Sequence, residues 1–480
     1  MGISSASIGI FEGHDDVGDV RLPSSIVVDT VKNEYQITAS GANMWEDKDA
    51  FHFVWCRTAG DLVMTADIAW LGKGKNPHRK AGWVVRQTLD ANSPYVVAVY
   101  HGDGLIALQY RRTFSGPTYE VLYPVKAPAT LLFERHADLF SLLAAQDGKT
   151  FQPVGSVLLQ LTDPVYSGLA VCSHEPNVPE TAVFSNVKLE KQGVFTMKQR
   201  VLESTLETIS VISSQRKIVY RTLARFEAPN WSRDGKTILF NSNGKLYTVP
   251  AEGGNPQLLD TGFADKCNND HGFSPDGKLI AISNHRSVDN KSFIYILPST
   301  GGTPRQVTSQ GPSYWHGWSP DGKTLAYCAE RRGLYDIYTI SVDGGDETRL
   351  TDAPGLDDGP DYSPDGKFIF FNSERTGLMK IWQMNADGSS QQQVTKDDEY
   401  ADWFPHPSPD GKWIVFLSYN KSVKGHPENK DVALRIMPLK GGRPRELTHL
   451  FGGQGTINVP SWSPDSSQVA FVSYRLLPSK

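Results

Sequence analysis

Trp318-Ser-Pro-Asp-Gly-Lys-Thr-Leu-Ala-Tyr-Cys-Ala-Glu-Arg-Arg-Gly-Leu-Tyr-Asp-Ile-Tyr-Thr-Ile-Ser-Val342 decides the fold. A tight turn opens it, a β-rich run follows (Thr324-Leu-Ala-Tyr), and a second run (Asp336-Ile-Tyr-Thr-Ile) returns behind a Gly-containing break. The turn has a mechanism: Pro presets φ, Asp bonds its own backbone, and Gly accepts φ > 0. The string recurs as Trp231-Ser-Arg-Asp-Gly, Phe273-Ser-Pro-Asp-Gly, Tyr362-Ser-Pro-Asp-Gly, Pro407-Ser-Pro-Asp-Gly and Trp462-Ser-Pro-Asp-Ser. Its serines stand at 232, 274, 319, 363, 408 and 463, in steps of 42, 45, 44, 45 and 55. Each copy continues into a second strand-like run, a Gly-rich turn and a short third run such as Pro304-Arg-Gln-Val-Thr. Four short strands every 40–50 residues are the signature of a β-propeller blade. Six copies predict six blades over residues 196–480.

The last copy leaves room for only two strands before Lys480. The strand-like runs near 207–222, Glu207-Thr-Ile-Ser-Val-Ile and Lys217-Ile-Val-Tyr-Arg-Thr, are therefore expected to pair with 460–476 and close the ring, since an open edge would present unpaired backbone groups. These blades resemble the TolB-type six-bladed propeller, whose repeats carry the same aromatic-Ser-Pro-Asp-Gly string. The resemblance implies the fold, while propellers of this kind serve as protein-binding platforms, peptidase domains and polysaccharide lyases.

Residues 1–195 lack the repeat and show longer alternating runs, among them Asp61-Leu-Val-Met-Thr-Ala-Asp-Ile-Ala-Trp, Tyr95-Val-Val-Ala-Val-Tyr and Leu139-Phe-Ser-Leu-Leu-Ala-Ala, at the spacing of an all-β sandwich. The order Trp45, Phe51-His-Phe, Lys80-Ala-Gly-Trp-Val-Val-Arg, Asp147-Gly-Lys-Thr-Phe, Gly168-Leu-Ala-Val-Cys-Ser-His and Ala182-Val-Phe-Ser-Asn-Val resembles a concanavalin-like β-sandwich, a class often attached to sugar-acting proteins. Trp45, Trp55, Trp83, Tyr100 and Tyr110 are its candidate sugar-stacking rings, with core packing the competing reading. Asp47 and Asp49 are weak calcium candidates. The Lys-, Glu- and Gln-rich segment Leu189–Leu206 reads as the linker between domains.

Composition narrows the rest. The chain has 480 residues and a net charge of −5 without a basic block, which argues against nucleic-acid binding by phosphate neutralisation. No apolar run reaches the roughly 18 residues of a membrane span. The opening Met1-Gly-Ile-Ser-Ser-Ala-Ser carries no secretory signal, so the sequence as written reads as cytoplasmic; a chain whose leader had been removed would read the same and be periplasmic or secreted. Cys56, Cys172, Cys267 and Cys328 form no C-x-x-C pair, and inert buried thiols are expected in the apolar runs.

In a propeller the Pro-Asp-Gly turns share one rim, and the residues preceding each aromatic-Ser-Pro converge on the opposite mouth with the loops after second strands. That mouth is loaded with His, carboxylate, Arg and aromatic groups. Substrate-binding candidates are Glu227, Asn230, Asn269, Asp270, Trp315, Asp358, Asp361, Glu374, Asp402, Trp403, Gln454 and Asn458. Catalytic candidates are His271, His316, His406, Arg331, Arg375 and Tyr419. The three histidines come from three blades and are candidate ligands of a divalent metal such as manganese, calcium or zinc. Two glycan chemistries fit such residues: β-elimination on a uronate, which needs a carboxylate neutraliser, a base and an acid, and hydrolysis between two carboxylates. Oligogalacturonate lyases also carry TolB-like repeats, and Pro405-His406-Pro407-Ser408 resembles part of their Gln-x-x-His-x-His-Pro-Ser metal strand, with Ala401 and Phe404 in the Gln and first His positions. The insertion Asn420–Asp431, with His426, is expected to overhang this mouth, and the turn Gly452-Gly-Gln-Gly to enter it. A carbohydrate-active protein acting on an oligo- or polysaccharide and a non-catalytic TolB-like propeller that binds a protein or glycan partner both remain open.

Overall fold

The computed structural model describes residues 8–123 and 129–479. The Met1–Ser7 stretch read for a leader lies outside the described residues. Among the described residues the chain is all-β apart from one 3-10 turn, Met197–Gln199. It divides into two compact units, one of the residues up to Val201 with those from Leu476, the other Leu202–Arg475.

The N-terminal unit holds two seven-stranded antiparallel sheets. One runs Gly13–Val17, Phe51–Thr58, Val165–Cys172, Lys80–Arg86, Tyr95–His101, Ile106–Arg111, Thr118–Tyr123; the other runs Gln152–Leu158, Leu139–Ala145, Ala129–His136, Asp61–Trp70, Glu175–Gly193, Glu34–Gly41, Ser25–Asp29. Alternation decides which side chains enter the core: in Asp61–Trp70, Leu62, Met64, Ala66 and Ile68 are buried with Trp83, Val85 and Leu169 of the other sheet in one apolar cluster. The first sheet is also covered on its second face, where Val17, Met44, Phe51, Val84, Tyr95 and Val97 cluster. Beneath that cover Arg111 grips Asp49 through two bonds of 2.7 and 2.9 Å, with Arg86 at 3.4 Å, all fully buried. Asp49 is therefore an internal ion-pair partner and no calcium ligand. Trp83, Tyr100 and Tyr110 are core residues.

The linker reading of Leu189–Leu206 is corrected. Strand Glu175–Gly193 runs into it and strand Arg200–Ser210 starts within it. Its Glu190, Lys191 and Gln192 are exposed residues of paired backbone, a pattern that mimics a linker in sequence.

Five blades are four-stranded sheets that follow one another in chain order. Their inner strands are Glu227–Trp231, Cys267–Phe273, Ser313–Trp318, Asp357–Tyr362 and Tyr400–Pro407, numbered here blades 1 to 5. In blade 6, Trp462 bridges Val469 of strand Gln468–Pro478, which pairs with Arg200–Ser210 and then Arg216–Thr222. The start and end of the repeat region thus share a sheet. Ring closure is completed between blades 6 and 1: Asn230 Nδ2 donates to the Pro460 carbonyl at 2.5 Å, Ser461 Oγ to Pro229 at 2.8 Å, and Ala228 N to Gly455 at 2.7 Å.

The Ser-Pro-Asp-Gly turn does the same work in all six blades. In blade 3 Ser319 Oγ donates to Asp321 Oδ1 (2.6 Å) and accepts from Thr324 N (2.9 Å), while Lys323 N donates to the same carboxylate. Ser232, Ser274, Ser363, Ser408 and Ser463 repeat this pattern with Asp234, Asp276, Asp365, Asp410 and Asp465. One serine oxygen thereby locks the turn and orients the strand that follows. Inner strands carry a second shared feature, a register shift against their neighbours, as at Cys267/His271, Trp315/Gly317 and Trp403/His406. Left-handed residues Ala228, Gly359 and Phe404 mark it in blades 1, 4 and 5. Such bulges re-aim side chains next to the channel.

Candidate functional site: the two mouths of the propeller channel

At the mouth opposite the turns lies a pocket of about 280 Å³. Blade 2 supplies Asn268, Asn269 and Asp270, blade 3 Tyr314, His316, Cys328 and Tyr335, blade 4 Leu356 and Asp358, and blade 5 Phe404; His426, Gln454 and Asn458 come from the loops around blade 5's third and fourth strands. His316 is its electrostatic centre. Its Nε2 stands 3.2 Å from Asp358 Oδ1, its Nδ1 3.4 Å from the Asn458 carbonyl, and its ring stacks on Phe404 with centroids 6.2 Å apart. Burial opposes charge on this imidazole, but the Asp270 and Asp358 carboxylates win and raise it to about 9. Both ring nitrogens therefore donate.

The two acids respond in opposite ways. Burial pushes Asp270 up to about 7, against the pull of His316. Burial also works against Asp358, yet the same imidazolium and its hydrogen bond hold it well below the usual carboxylate range. Asn268 Nδ2 donates to Asp270 Oδ2 at 2.5 Å, and Gly455 N donates to Asn458 Oδ1 at 2.6 Å, which fixes the amides. His426 Nδ1 bonds Gln454 Oε1, and its ring sits edge-on to Trp403, centroids 4.4 Å apart. The insertion thus delivers His426 into the pocket wall.

The pocket gathers Asn269, Asp270, His316, Asp358, Gln454 and Asn458 from the expected set. Glu227 stands beside it, its carboxyl raised by burial and bonded by Asn269. Other expectations are corrected. Arg331 is clamped by Glu347 at 2.7 and 2.8 Å and by the Pro312 carbonyl at 2.8 Å. Arg375 bonds Asp357 (2.8 Å), Ser373 (2.7 Å) and Gln391 and lies over Trp382. Neither guanidinium lines the pocket. Asp402 is buried beside Ser418 (2.6 Å), Arg435 (3.4 Å) and Lys380 (3.9 Å). Glu374 is exposed and outside the lining, Trp403 is core beneath His426, and Tyr419 is buried with its hydroxyl on the Pro427 carbonyl at 3.1 Å. Tyr335 and Leu356 line the pocket without having been singled out. The register Glu330↔Tyr335 across a short hairpin is the signal that would have found Tyr335.

The three histidines expected as metal ligands have separate surroundings. His271 is fully buried, and burial lowers it to about 4 against the pull of the Ala228 and Asn268 backbone. His406 faces Asp361 Oδ2 at 3.2 Å and the Ile457 carbonyl at 2.8 Å. His316 is committed to Asp358. Among the described residues, no group of three or more His, Cys, Asp or Glu is placed to hold a metal ion. At the position where the lyase motif has its first histidine, Phe404 turns an apolar ring into the pocket.

The turn-side mouth is different in kind. Its cavity, about 210 Å³, is lined by the residues that precede each repeat serine, with Asn230, Trp315, Asp361 and Arg233. Asn230, Trp315 and Asp361, expected at the opposite mouth, face this one. Trp462 Nε1 donates to the His406 carbonyl at 2.8 Å and Trp318 Nε1 to that of Gly272 at 3.1 Å, so each ring is anchored on the preceding blade.

Six blades, the shared turn and the closing sheet define a TolB-like six-bladed propeller, and residues 292–430 match a family profile described as the TolB beta propeller domain. Within that class the chain belongs to the family of an Agrobacterium fabrum protein, the uncharacterized protein Atu1656, with 53% identity over 274 residues that span 57% of this chain and 93% of that one. A solved structure from Agrobacterium tumefaciens, named provisionally as a TolB, superposes with a TM-score of 0.56 at 53% identity over 57% of this chain and 99% of that chain. The Tol-Pal system protein TolB of Francisella tularensis is 28% identical over 244 residues, and the chain spans about half of its length (54%). An oligogalacturonate lyase in complex with manganese aligns at a TM-score of 0.37 and 16% identity, over 55% of this chain and 71% of that chain, too slight a likeness to carry chemistry across.

Proposed function

We propose that the chain is a non-catalytic TolB-like recognition module whose pocket opposite the turns receives an uncharged or cationic polar segment of a protein partner. One observation carries this reading. The arginines expected to neutralise a uronate are bonded elsewhere, and the pocket offers amides, phenols and one imidazolium flanked by two carboxylates. Such a lining donates and accepts hydrogen bonds and favours a cation beside Asp270 and Asp358, while a ligand carboxylate would meet like charge. A volume near 280 Å³ admits one or two side chains or a single sugar ring rather than an extended oligosaccharide. The Tol-Pal naming of the Francisella relatives supports a protein partner. We read the N-terminal unit as a concanavalin-like β-sandwich that adds a second binding surface.

Glycoside hydrolysis is the second reading, and the divergence of Asp270 and Asp358 favours it: one carboxyl stays protonated near neutrality while the other stays ionised, the division of labour such enzymes use. A peptide array and a glycan array probed with the purified chain separate the two. Retention of lysine- or amide-bearing peptides, weakened about tenfold by Asp358→Asn, with no sugar released from any glycan, is the expected result. Product release that Asp270→Asn abolishes would overturn it.

A further inference from the structure

The turn-side cavity has a feature that the turns do not need. Five repeats place proline after the serine (Pro275, Pro320, Pro364, Pro409, Pro464), and the first places Arg233. Its turn is nonetheless built alike: Ser232 Oγ donates to Asp234 Oδ1 at 2.7 Å and Gly235 N to the Ser232 carbonyl at 3.0 Å, matching Ser319, Asp321 and Gly322 in blade 3. Proline would build that turn equally, so the arginine side chain answers to something other than the turn.

The Arg233 side chain reaches the cavity wall, where Nε and Nη2 donate to the carbonyls of Ser274 and Phe273, each at 3.2 Å. Those bonds fix the guanidinium plane and leave Nη1 unused. It is the only basic side chain in the lining. The only acid there, Asp361, bonds His406 at 3.2 Å and shares its remaining charge with Arg233. Around this one cation stand Trp231, Phe273, Trp318, Tyr362, Pro407 and Trp462, one from each blade. Flat apolar walls suit a flat apolar body, and a held guanidinium with a spare donor suits a carboxylate.

We propose that the turn-side cavity is a binding site for an aryl carboxylate, a flat apolar group bearing a carboxylate that Arg233 receives. A free aromatic acid and a peptide ending in phenylalanine share this chemistry. The tryptophans in the wall report occupancy directly through their emission.

The test titrates the intact chain with 3-phenylpropionate and with Ala-Ala-Phe, each against its amide. Both carboxylates are expected to change tryptophan emission saturably, with the amides about tenfold weaker. The tighter of the two carboxylates identifies the source. Arg233→Pro installs the residue of the other five turns, so it should fold like the parent while weakening both carboxylates about tenfold. Arg233→Gln should weaken them similarly, and Asp358→Asn at the other mouth should leave them unchanged. No saturable response to either carboxylate, equal affinity for acid and amide, or full binding by a folded Arg233→Pro protein would overturn the proposal.

Discussion

At one end of the channel five of the six blades supply an aromatic ring from the same repeat position; at the other the blades supply polar and aromatic residues from differing positions. The turn-side ring is Trp, Phe, Trp, Tyr, Pro and Trp, while the far pocket takes an asparagine and an aspartate from one blade, a histidine and a tyrosine from the next, and a phenylalanine from another. The difference follows from what each end must do for the fold. Every turn uses one serine oxygen as donor and acceptor and one carboxylate to collect backbone N–H groups, so its chemistry cannot drift far, and in blades 3 and 6 the tryptophan before it is tied to the neighbouring blade. The far ends of the inner strands face only solvent and each other. Residues there are free to specialise, and polar groups with displaced titration accumulate where a partner can reach them.

Removing the support under the variable pocket should have the largest effect. Trp403 is fully buried, with Leu417, Tyr419 and Leu434 in its cluster, and its ring backs His426. Trp403→Ala should destabilise the propeller by about 3–5 kcal/mol through loss of buried surface and the cavity left behind. It should also abolish peptide retention at the His426 wall. At a temperature where the variant is still folded, aryl carboxylate binding at the turn side should persist. Loss of both together would mean that the two mouths are one unit.

The charged centre of the variable pocket gives the next largest effect, readable through pH. His316 is raised to about 9 from an ordinary value near 6.5. A base whose folded value is raised contributes stability that is complete below about 6.5 and is lost as the pH rises through about 9. Asp270, raised to about 7, adds loss in the same direction between its ordinary value and neutrality, because the folded state holds the extra proton. Asp358 has the opposite sign: its contribution is present above the ordinary carboxylate range and fails as the pH falls. The propeller transition in calorimetry should therefore weaken by about 2–3 kcal/mol between pH 6.5 and 9. His316→Gln should flatten that slope. An unchanged slope in the variant would remove His316 from the centre of the pocket.

These two cases show how far the amino-acid order could be read. Serine and aspartate two residues apart, repeated with a fixed neighbour, are local chemistry, and six blades follow from them. Asp270, His316, Asp358 and Asn458 were legible because they precede repeat strings whose position on the ring is known. His271 and His406 precede the same strings yet are buried away from the pocket. The bulges between Cys267 and His271 and between Trp403 and His406 shift the alternation of the inner strand, and no single sequence announces which residue the shift turns inward. Arg331 and Arg375 were misplaced for another reason. Each is captured by a residue 16 positions on, Glu347 or Gln391, which the blade's third and fourth strands bring back beside it. The end of strand Glu175–Gly193 was hidden because an exposed strand end and a polar linker have the same composition.

The smallest effect is the sharpest check on the regular end. Ser408→Ala removes a hydroxyl that donates to Asp410 at 2.7 Å and accepts from Trp413 N at 2.9 Å, while the backbone pair Ser408 N to the Trp413 carbonyl, 2.8 Å, is kept. With that pair holding the turn closed, the cost should be about 1–2 kcal/mol, the net worth of two hydrogen bonds. Ser319→Ala should cost the same, because its bonds to Asp321 and Thr324 have the same lengths within 0.1 Å. The two lie on separate blades without shared partners, so the double variant should sum their costs to within about 0.5 kcal/mol in urea unfolding. Unequal single costs would show that the turns are not interchangeable. A strongly non-additive pair would show that blades 3 and 5 communicate through the ring, and the independence of the two mouths would then lose its physical basis.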